Sequence, residues 1–381
     1  MRIYLSCLQS TIVHPIPAYQ FWQFYFKKGI EEAGHEWIET PEIDWAKALV
    51  CNNRFMLDEW KSETWEKVIK DIESKHTKRA IDIFLSYFYP VHVDIQAIKY
   101  IQKLGIPCVN FFCDNVREFK KVPKEYHCFD LNWVPEYKAL EMYKNAKLSY
   151  LHLPMPVWVN RFNRDSTYKE IYKPTFIGSY DKQRGQLFYK VIQNYKDIEL
   201  RGPGWNEKII EKNNYKNISS KLYNQLDFIK KHSIKAYFNK IRCSFEKPID
   251  KAIFNDFLKE SVYNEEYFSV SKNAIITIGV NRYPSFYFPS NKPDTYSRLR
   301  DIEAPMLGAC YLTEWTEGLD QMYEIGKEIE TFTSAEELIE KIEDLLKHPN
   351  KREKLRKNGQ IKALANHSIP MSLNKIKDAL K

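Results

Sequence analysis

Residues 296–329, YSRLRDIEAPMLGACYLTEWTEGLDQMYEIGKEI, carry the pattern that decides the fold. Arg298, Arg300 and Glu303 open the stretch at spacings of two and three. A small-residue turn at Gly308 follows, then a short apolar run over 309–312, a polar loop over 313–318 and an amphipathic segment ending near Glu328. Helix, tight turn, strand, polar loop, helix is the local order of an α/β sheet whose site lies at the carboxyl ends of its strands. Proline has no N–H to give, so Pro305 lies in a helix's first turn or kinks it, and Arg300 and Glu303 fall at or near a helix N-terminus. An inward-facing acid there suits hydroxyl groups, and the neighbouring arginine suits phosphate oxygens.

The same alternation extends in both directions. Upstream, 274–280 (AIITIGV) reads as a central strand that ends at Asn281 and Arg282, and 175–177 as a strand running into Gly178, Ser179 and Arg184. A helix over 185–194, a strand over 198–200 and a turn at Gly202-Pro-Gly-Trp205 complete that unit. Downstream, Ser334 with Glu337 three residues on is a capping-box start, followed by a helix over 351–365 and an amphipathic stretch from Met371. In the first part of the chain, apolar strands are expected in 1–13, 81–88, 108–113, 129–134 and 148–153, with helices over 19–33, 94–104 and 136–145. Their continuous apolar character is what a parallel sheet covered on both faces requires, and the alternation implies right-handed crossovers. Prolines 154, 156 and 174 mark the connection between the halves. The expected domains are 1–155 and 171–366, with a final helix in 367–381.

At 381 residues the chain is long enough for two domains, each with its own core. A formal net charge of +8 is compatible with anionic nucleotides, an acidic membrane surface or nucleic acid, and selects none of them. Residues 207–258 look like an inserted helical segment, where Lys and Arg outnumber Asp and Glu. The seven cysteines form no C-x-x-C pair, which points to reduced thiols in the cytosol. There is no apolar run of membrane-spanning length and no signal-peptide pattern, so a cytoplasmic protein is expected. No glycine-rich phosphate fingerprint follows the first strand, which argues against an ordinary NAD-binding half there.

Several residues stand where ligands are held in such sheets. Arg184, in a loop between strand and helix beside Gly178 and Ser179, is placed to meet a diphosphate at the helix N-terminus. Gly202 permits close backbone approach, or is simply a tight turn, and Asn281 and Arg282 end a strand where they can line a base pocket. Asp114 follows an apolar strand and can accept a proton from a hydroxyl. His14 and His92 follow two others and offer alternative bases. With no H-x-x-x-H pair and no cysteine cluster, neither a metal nor a cofactor is expected.

The words R-x-x-E-A-P-x-x-G-A at 300–309, F-I-G-S-Y-x-x-x-R at 176–184 and L-R-G-P-G-W at 200–205 resemble the CgeB-like (spore maturation protein) group of GT-B glycosyltransferases. The likeness spans roughly 171–206 and 260–370 and is weaker upstream, at F-F-C-D-N (111–115) and W-V-P (133–135). It implies two Rossmann-like doubly wound domains facing across a cleft, the acceptor on the first and the nucleotide-sugar on the second. Glu303 matches a glutamate that in many such enzymes holds the ribose of the donor. The place eight residues earlier, a second glutamate in larger families, is Thr295 here. The final helix of such folds often crosses back to the first domain.

The function expected from this resemblance is metal-independent sugar transfer from a nucleotide-diphosphate sugar, such as a UDP-sugar, to a hydroxyl. Arg184 and Arg300 hold the diphosphate; Asp114, His14 and Glu303 are the catalytic candidates. The acceptor is a surface polysaccharide, a lipid-linked glycan or a protein, with peripheral contact at the inner membrane face through 207–258. Two other readings stay open: transfer to DNA, with 207–258 as a basic arm, and a non-catalytic binding module of the same fold.

Overall fold

A computed structural model describes the chain except residues 11, 15–18, 52, 207–233, 246–248 and 284–292. The chain folds as two units, Met1–Trp158 with Asn366–Lys381, and Val159–Ala365.

The first unit is built on strands β1 (Arg2–Ser6), β2 (Glu36–Ile38), β3 (Ile83–Tyr87), β4 (Cys108–Phe111), β5 (Leu131–Val134) and β6 (Tyr150–His152), all paired in parallel in the order β2-β1-β3-β4-β5-β6. Every residue of β3, β4 and β5 is buried, which explains their unbroken apolar runs. Helices α1 (Tyr19–Glu32), α2 (Arg54–Lys78), α3 (Ile95–Lys103), α4 (Asn115–Glu118) and α5 (Leu140–Asn145) connect them. Sequence reading passed over α2, the longest of these. Its inner face of Trp60, Thr64, Trp65, Val68 and Ile72 is threaded among charged residues, and Asn53 caps it by accepting the Met56 N–H.

The second unit holds β7 (Thr175–Ile177), β8 (Glu199–Arg201), β9 (Leu258–Lys259), β10 (Thr277–Gly279), β11 (Tyr311–Glu314) and β12 (Glu330–Phe332), again all parallel, in the order β12-β11-β10-β7-β8-β9. Its helices are α6 (Lys182–Asn194), α7 (Ile234–Phe245), α8 (Asn264–Asn273), α9 (Arg300–Met306), α10 (Leu319–Met322), α11 (Ala335–Lys347) and α12 (Pro349–Asn366). A last helix, α13 (Ile369–Ala379), returns to the first unit and packs on α1; a Cβ on Gly29 of α1 would lie 2.4 Å from Ile369.

Two expectations are corrected here. The amphipathic segment after 318 forms only the single turn α10, and 330–332 is an edge strand. Glu330 disguised that strand: it is buried and its carboxylate is paired with Lys341 at 3.1 Å and Lys351 at 2.9 Å. Of the 207–258 segment, much lies outside the described residues. The helix α7 is helical as read, but the segment's end joins the sheet, Leu258 pairing with Leu200.

Candidate functional site

At the carboxyl edge of the second sheet, β7 leads into Gly178 and Ser179, β8 into Gly202 and β10 towards Asn281 and Arg282. Gly202, at φ +131°, passes so close to its neighbour that a Cβ would stand 2.5 Å from the Gly178 carbonyl oxygen. Trp205 Nε1 donates to that same carbonyl at 2.8 Å. Asp181 caps α6, accepting the N–H groups of Gln183 at 2.8 Å and Arg184 at 3.0 Å. The Arg184 Nη1 then reaches back to the Ser179 carbonyl at 2.9 Å and its hydroxyl at 3.3 Å. Gly178, Ser179, Gly202 and Arg184 therefore form one corner.

The facing side is organised by Asp301. Fully buried, it accepts from the Arg298 N–H and the Tyr311 hydroxyl, each at 2.8 Å, the Thr313 hydroxyl at 3.0 Å and Asn281 Nδ2 at 3.1 Å. Gly279 makes room for this, since a Cβ there would fall 2.2 Å from the Tyr311 oxygen. Pro305 sits inside α9 and has no N–H for the Asp301 carbonyl; the Tyr323 hydroxyl donates to that carbonyl at 2.8 Å. So fixed, α9 begins at Arg300, and Glu303 lies one turn in. Arg300 Nε donates to the Tyr267 hydroxyl at 3.3 Å, and that hydroxyl donates to Glu303. Arg298 donates to the Arg282 carbonyl and lies 4.5 Å from the centroid of the Tyr296 ring, which stacks on Tyr283.

The electrostatics tie the two sides together. Burial first, then the charge of Arg298, and also that of Arg300, push Arg184 down to about 10, against the opposing pull of Asp181. For Arg300 burial also disfavours the charge, but Tyr267, Tyr311 and Glu303 outweigh it and hold the guanidinium above its ordinary value. The Nε atoms of Arg184 and Arg298 are buried and make no hydrogen bond among the described residues. Three guanidinium groups, two of them with a buried donor that makes no hydrogen bond among the described residues, form a place where an anion would be satisfied.

Asn281 and Arg282, read from sequence as pocket lining, turn inwards instead. The Asn281 amide is held by Asp301, Thr313 and the Glu314 carbonyl, and Arg282 pairs with Glu314 at 2.7 Å and donates to the Gln183 carbonyl at 2.9 Å. They brace the corner. Sequence reasoning missed Asp301 and Tyr267; the first was legible only as an acid two places before Glu303, and nothing marked the second.

In the first unit, Asp114 follows β4 and precedes α4, its carboxylate 3.6 Å from Arg117 and partly exposed. His14 is buried with Nε2 2.7 Å from Asp44. Asp44, which also accepts the Lys47 N–H at 3.0 Å, had drawn no notice in the sequence. His92 is excluded as a base by its packing. It is completely buried, its Nε2 bonds the Trp45 carbonyl at 2.9 Å, its Nδ1 accepts the Tyr89 N–H at 3.0 Å, and burial pushes it down to about 3. A second missed residue is Glu136, buried beside Asp114, whose carboxyl accepts the N–H groups of Asn115 and Val116.

This fold is shared with known structures. A sucrose-phosphate synthase from Thermosynechococcus elongatus is similar over 100% of this chain and 98% of its own, at a TM-score of 0.55 and 13% identity. The HepE protein of Anabaena, solved in complex with UDP, matches over 100% and 99%, at a TM-score of 0.56 and 9% identity. A glycosyltransferase from Rickettsia africae matches over 100% and 98%, at 0.56 and 12% identity. With the two parallel sheets, these neighbours give the chain the GT-B architecture of two Rossmann-like units. No curated protein sequence matches the chain. A family model described as glycosyl transferase-like matches residues 184–378, more than half of the chain and the span that runs from Arg184 through Glu303. The chain belongs to the glycosyl transferase-like family.

Proposed function

We propose that this chain transfers a sugar from a nucleotide-diphosphate sugar, with UDP as the first candidate carrier, to a hydroxyl acceptor, and that it is of the CgeB-like kind. The observation that carries the reading is the gathering of Arg184, Arg298 and Arg300 with Glu303 at one sheet edge, two of the arginines with buried donors unused. Arg184 and Arg300 bind the diphosphate, and Arg298 adds a third positive charge. As the bond to the sugar breaks, negative charge grows on the leaving diphosphate, and fixed guanidinium groups in a poorly solvated site stabilise it without a metal ion. Glu303, aligned by Tyr267, accepts from ribose or sugar hydroxyls. The first unit serves the acceptor, whose proton goes to Asp114 or to His14 aligned by Asp44.

The acceptor belongs to surface glycan synthesis, whether as a polysaccharide, a lipid-linked glycan or a protein. Among the described residues no helix is long and apolar enough to cross a membrane. Peripheral contact at the cytoplasmic face is suited to α7, where Phe238 and Phe245 are exposed beside Lys240 and Arg242. Flotation with liposomes, with and without anionic lipid, tests that part.

The donor site is tested by thermal unfolding with UDP, GDP and dTDP and by hydrolysis of the matching nucleotide-sugars. A nucleoside diphosphate is expected to raise Tm, and Glu303→Ala to abolish hydrolysis. If no nucleotide diphosphate shifts Tm, the donor-site reading is wrong.

A further inference from the structure

Glu136 lies one residue past the W-V-P turn at the end of β5, and its side chain is buried behind Asp114. One carboxyl oxygen, Oε2, receives the N–H groups of Asn115 and Val116, the two residues after Asp114. The other, Oε1, is buried and has no hydrogen-bond partner among the described residues. The Asn115 side chain is pinned in turn, donating to the Phe112 carbonyl at 2.8 Å and accepting from the Tyr143 hydroxyl at 2.9 Å. The loop that presents Asp114 is thus anchored on a second carboxyl group that sequence and family likeness leave without a role.

We propose that Glu136 is a positioning residue for Asp114: buried and holding its proton, it anchors through Oε2 the two residues that follow Asp114 and so sets in place the carboxyl group that receives the acceptor's proton. This rests on the reading of Asp114 as a base in sugar transfer. A carboxyl group buried near a negative charge resists ionising. Burial first, and then the negative charge of Asp114, push Glu136 up to about 8, against the lowering effect of the Asn115 and Val116 bonds. Among the described residues no cation pairs with Glu136. Cys113 and Asp114 face it from the loop after β4, and Tyr143 from α5. Tyr87 and Tyr89 feel Asp114 from the end of β3, Arg117 pairs with Asp114 rather than Glu136, and His152 on β6 bonds the Pro135 carbonyl. When Glu136 ionises, its charge repels that of Asp114 and strains the loop that carries it, against a tighter hold on the Asn115 and Val116 N–H groups.

The sign of the pH effect follows. A folded-state pKa raised above the unfolded value of about 4.3 means that the native state binds the extra proton between the two values. The stabilisation that Glu136 provides relative to its ionised form is full below about 4.3 and is lost as pH rises towards 8. Thermal unfolding from pH 4 to 9 of the wild type, Glu136→Gln and Asp114→Asn reads this without any need for activity. The wild-type Tm is expected to fall relative to Glu136→Gln by several degrees across that window and to run parallel above it. In Asp114→Asn the decline ends at lower pH, because the charge that raises Glu136 is gone. Parallel wild-type and Glu136→Gln curves, or an Asp114→Asn curve that coincides with the wild type, overturn the pair; should Glu136→Gln not fold, the Asp114→Asn comparison decides. In transfer assays the wild-type rate falls above about pH 8 and the Glu136→Gln rate does not. A limb that persists unchanged in Glu136→Gln overturns the positioning role. Absence of all transfer by folded wild-type protein counts against the glycosyltransferase reading, while the unfolding curves still judge the pair.

Discussion

At the carboxyl edge of the second sheet the strands hand over to Arg184, Arg298 and Arg300; at the same edge of the first sheet they hand over to Asp114, with Glu136 behind it. The scaffolds beneath are alike in kind, six parallel strands each and both doubly wound, though the first sheet reverses at β1, one strand from its edge, and the second reverses at its centre, between β7 and β10. What differs is the chemistry the loops hang on that scaffold. One edge gathers positive charge with unused donors and is suited to an anion; the other gathers carboxyl groups and is suited to taking up a proton. Each edge also has one buried carboxylate that organises it, and these two are satisfied very differently. Asp301 has a donor on every side, whereas Glu136 has one oxygen with none among the described residues.

The comparison breaks most visibly if the two aspartates are exchanged for alanine. Asp301→Ala strands the Tyr311 and Thr313 hydroxyls and the Arg298 N–H and takes one of three acceptors from the Asn281 amide, and each buried orphan costs about 1–3 kcal/mol. A loss of about 4 kcal/mol or more is expected in the unfolding of the second unit, followed by denaturant titration of Trp205 fluorescence. Asp114→Ala gives up a partly exposed contact at 3.6 Å and is expected to cost less than about 1 kcal/mol. Equal losses would mean that the two edges are not organised as described.

Next in size is the response to UDP expected from the proposed function. Arg184→Ala and Arg300→Ala each remove a charged donor worth about 1.5–3 kcal/mol. UDP binding by calorimetry should weaken about tenfold to a hundredfold for each. His92 sets a third contrast, in pH. Its folded-state pKa is depressed to about 3, so the stability it confers is complete above its unfolded value of about 6.5 and is lost as pH falls below that. By pH 5 the loss is about 2 kcal/mol, and Glu136 works in the opposite direction, its stabilisation growing on acidification. His92→Gln is expected to flatten the acid limb of first-unit stability measured by chemical denaturation.

Much of this architecture was legible before the structure. Buried parallel strands announce themselves as unbroken apolar runs, and β3, β4 and β10 were read from them. Elements whose burial depends on neutralised charge were not: β12 opens with Glu330, whose lysine partners come from later in the chain. The candidate site was legible as backbone, in the turns at Gly178 and Gly202 and the helix start at Arg300. It was not legible where two acids or two histidines compete for one role. Asp301 and Glu303 differ only by the face of one turn, and His92 resembles His14 in sequence until Trp45 and Tyr89 close over both of its nitrogens. Which side chain points inwards is decided by partners far along the chain, and a single sequence does not display them.

The smallest expected effect is also the most discriminating. Asp181 acts twice on the arginine-rich edge of the second sheet, as the cap of α6 and as a negative charge 3.5 Å from Arg184 Nε. Asp181→Ala removes both and should cost about 1 kcal/mol of second-unit stability. Asp181→Asn keeps a good capping side chain, so stability should stay within a few tenths of a kcal/mol, roughly the spread among strong caps. It also lifts the partial neutralisation of Arg184, and UDP affinity should then rise about twofold to threefold at low salt, with the gain fading as salt screens the site. Weaker binding by Asp181→Asn would mean that the carboxylate aims the guanidinium rather than merely offsetting its charge. In that event the second edge, like the first, depends on one acid holding another group in position, and the contrast between them narrows to the sign of the charge they present.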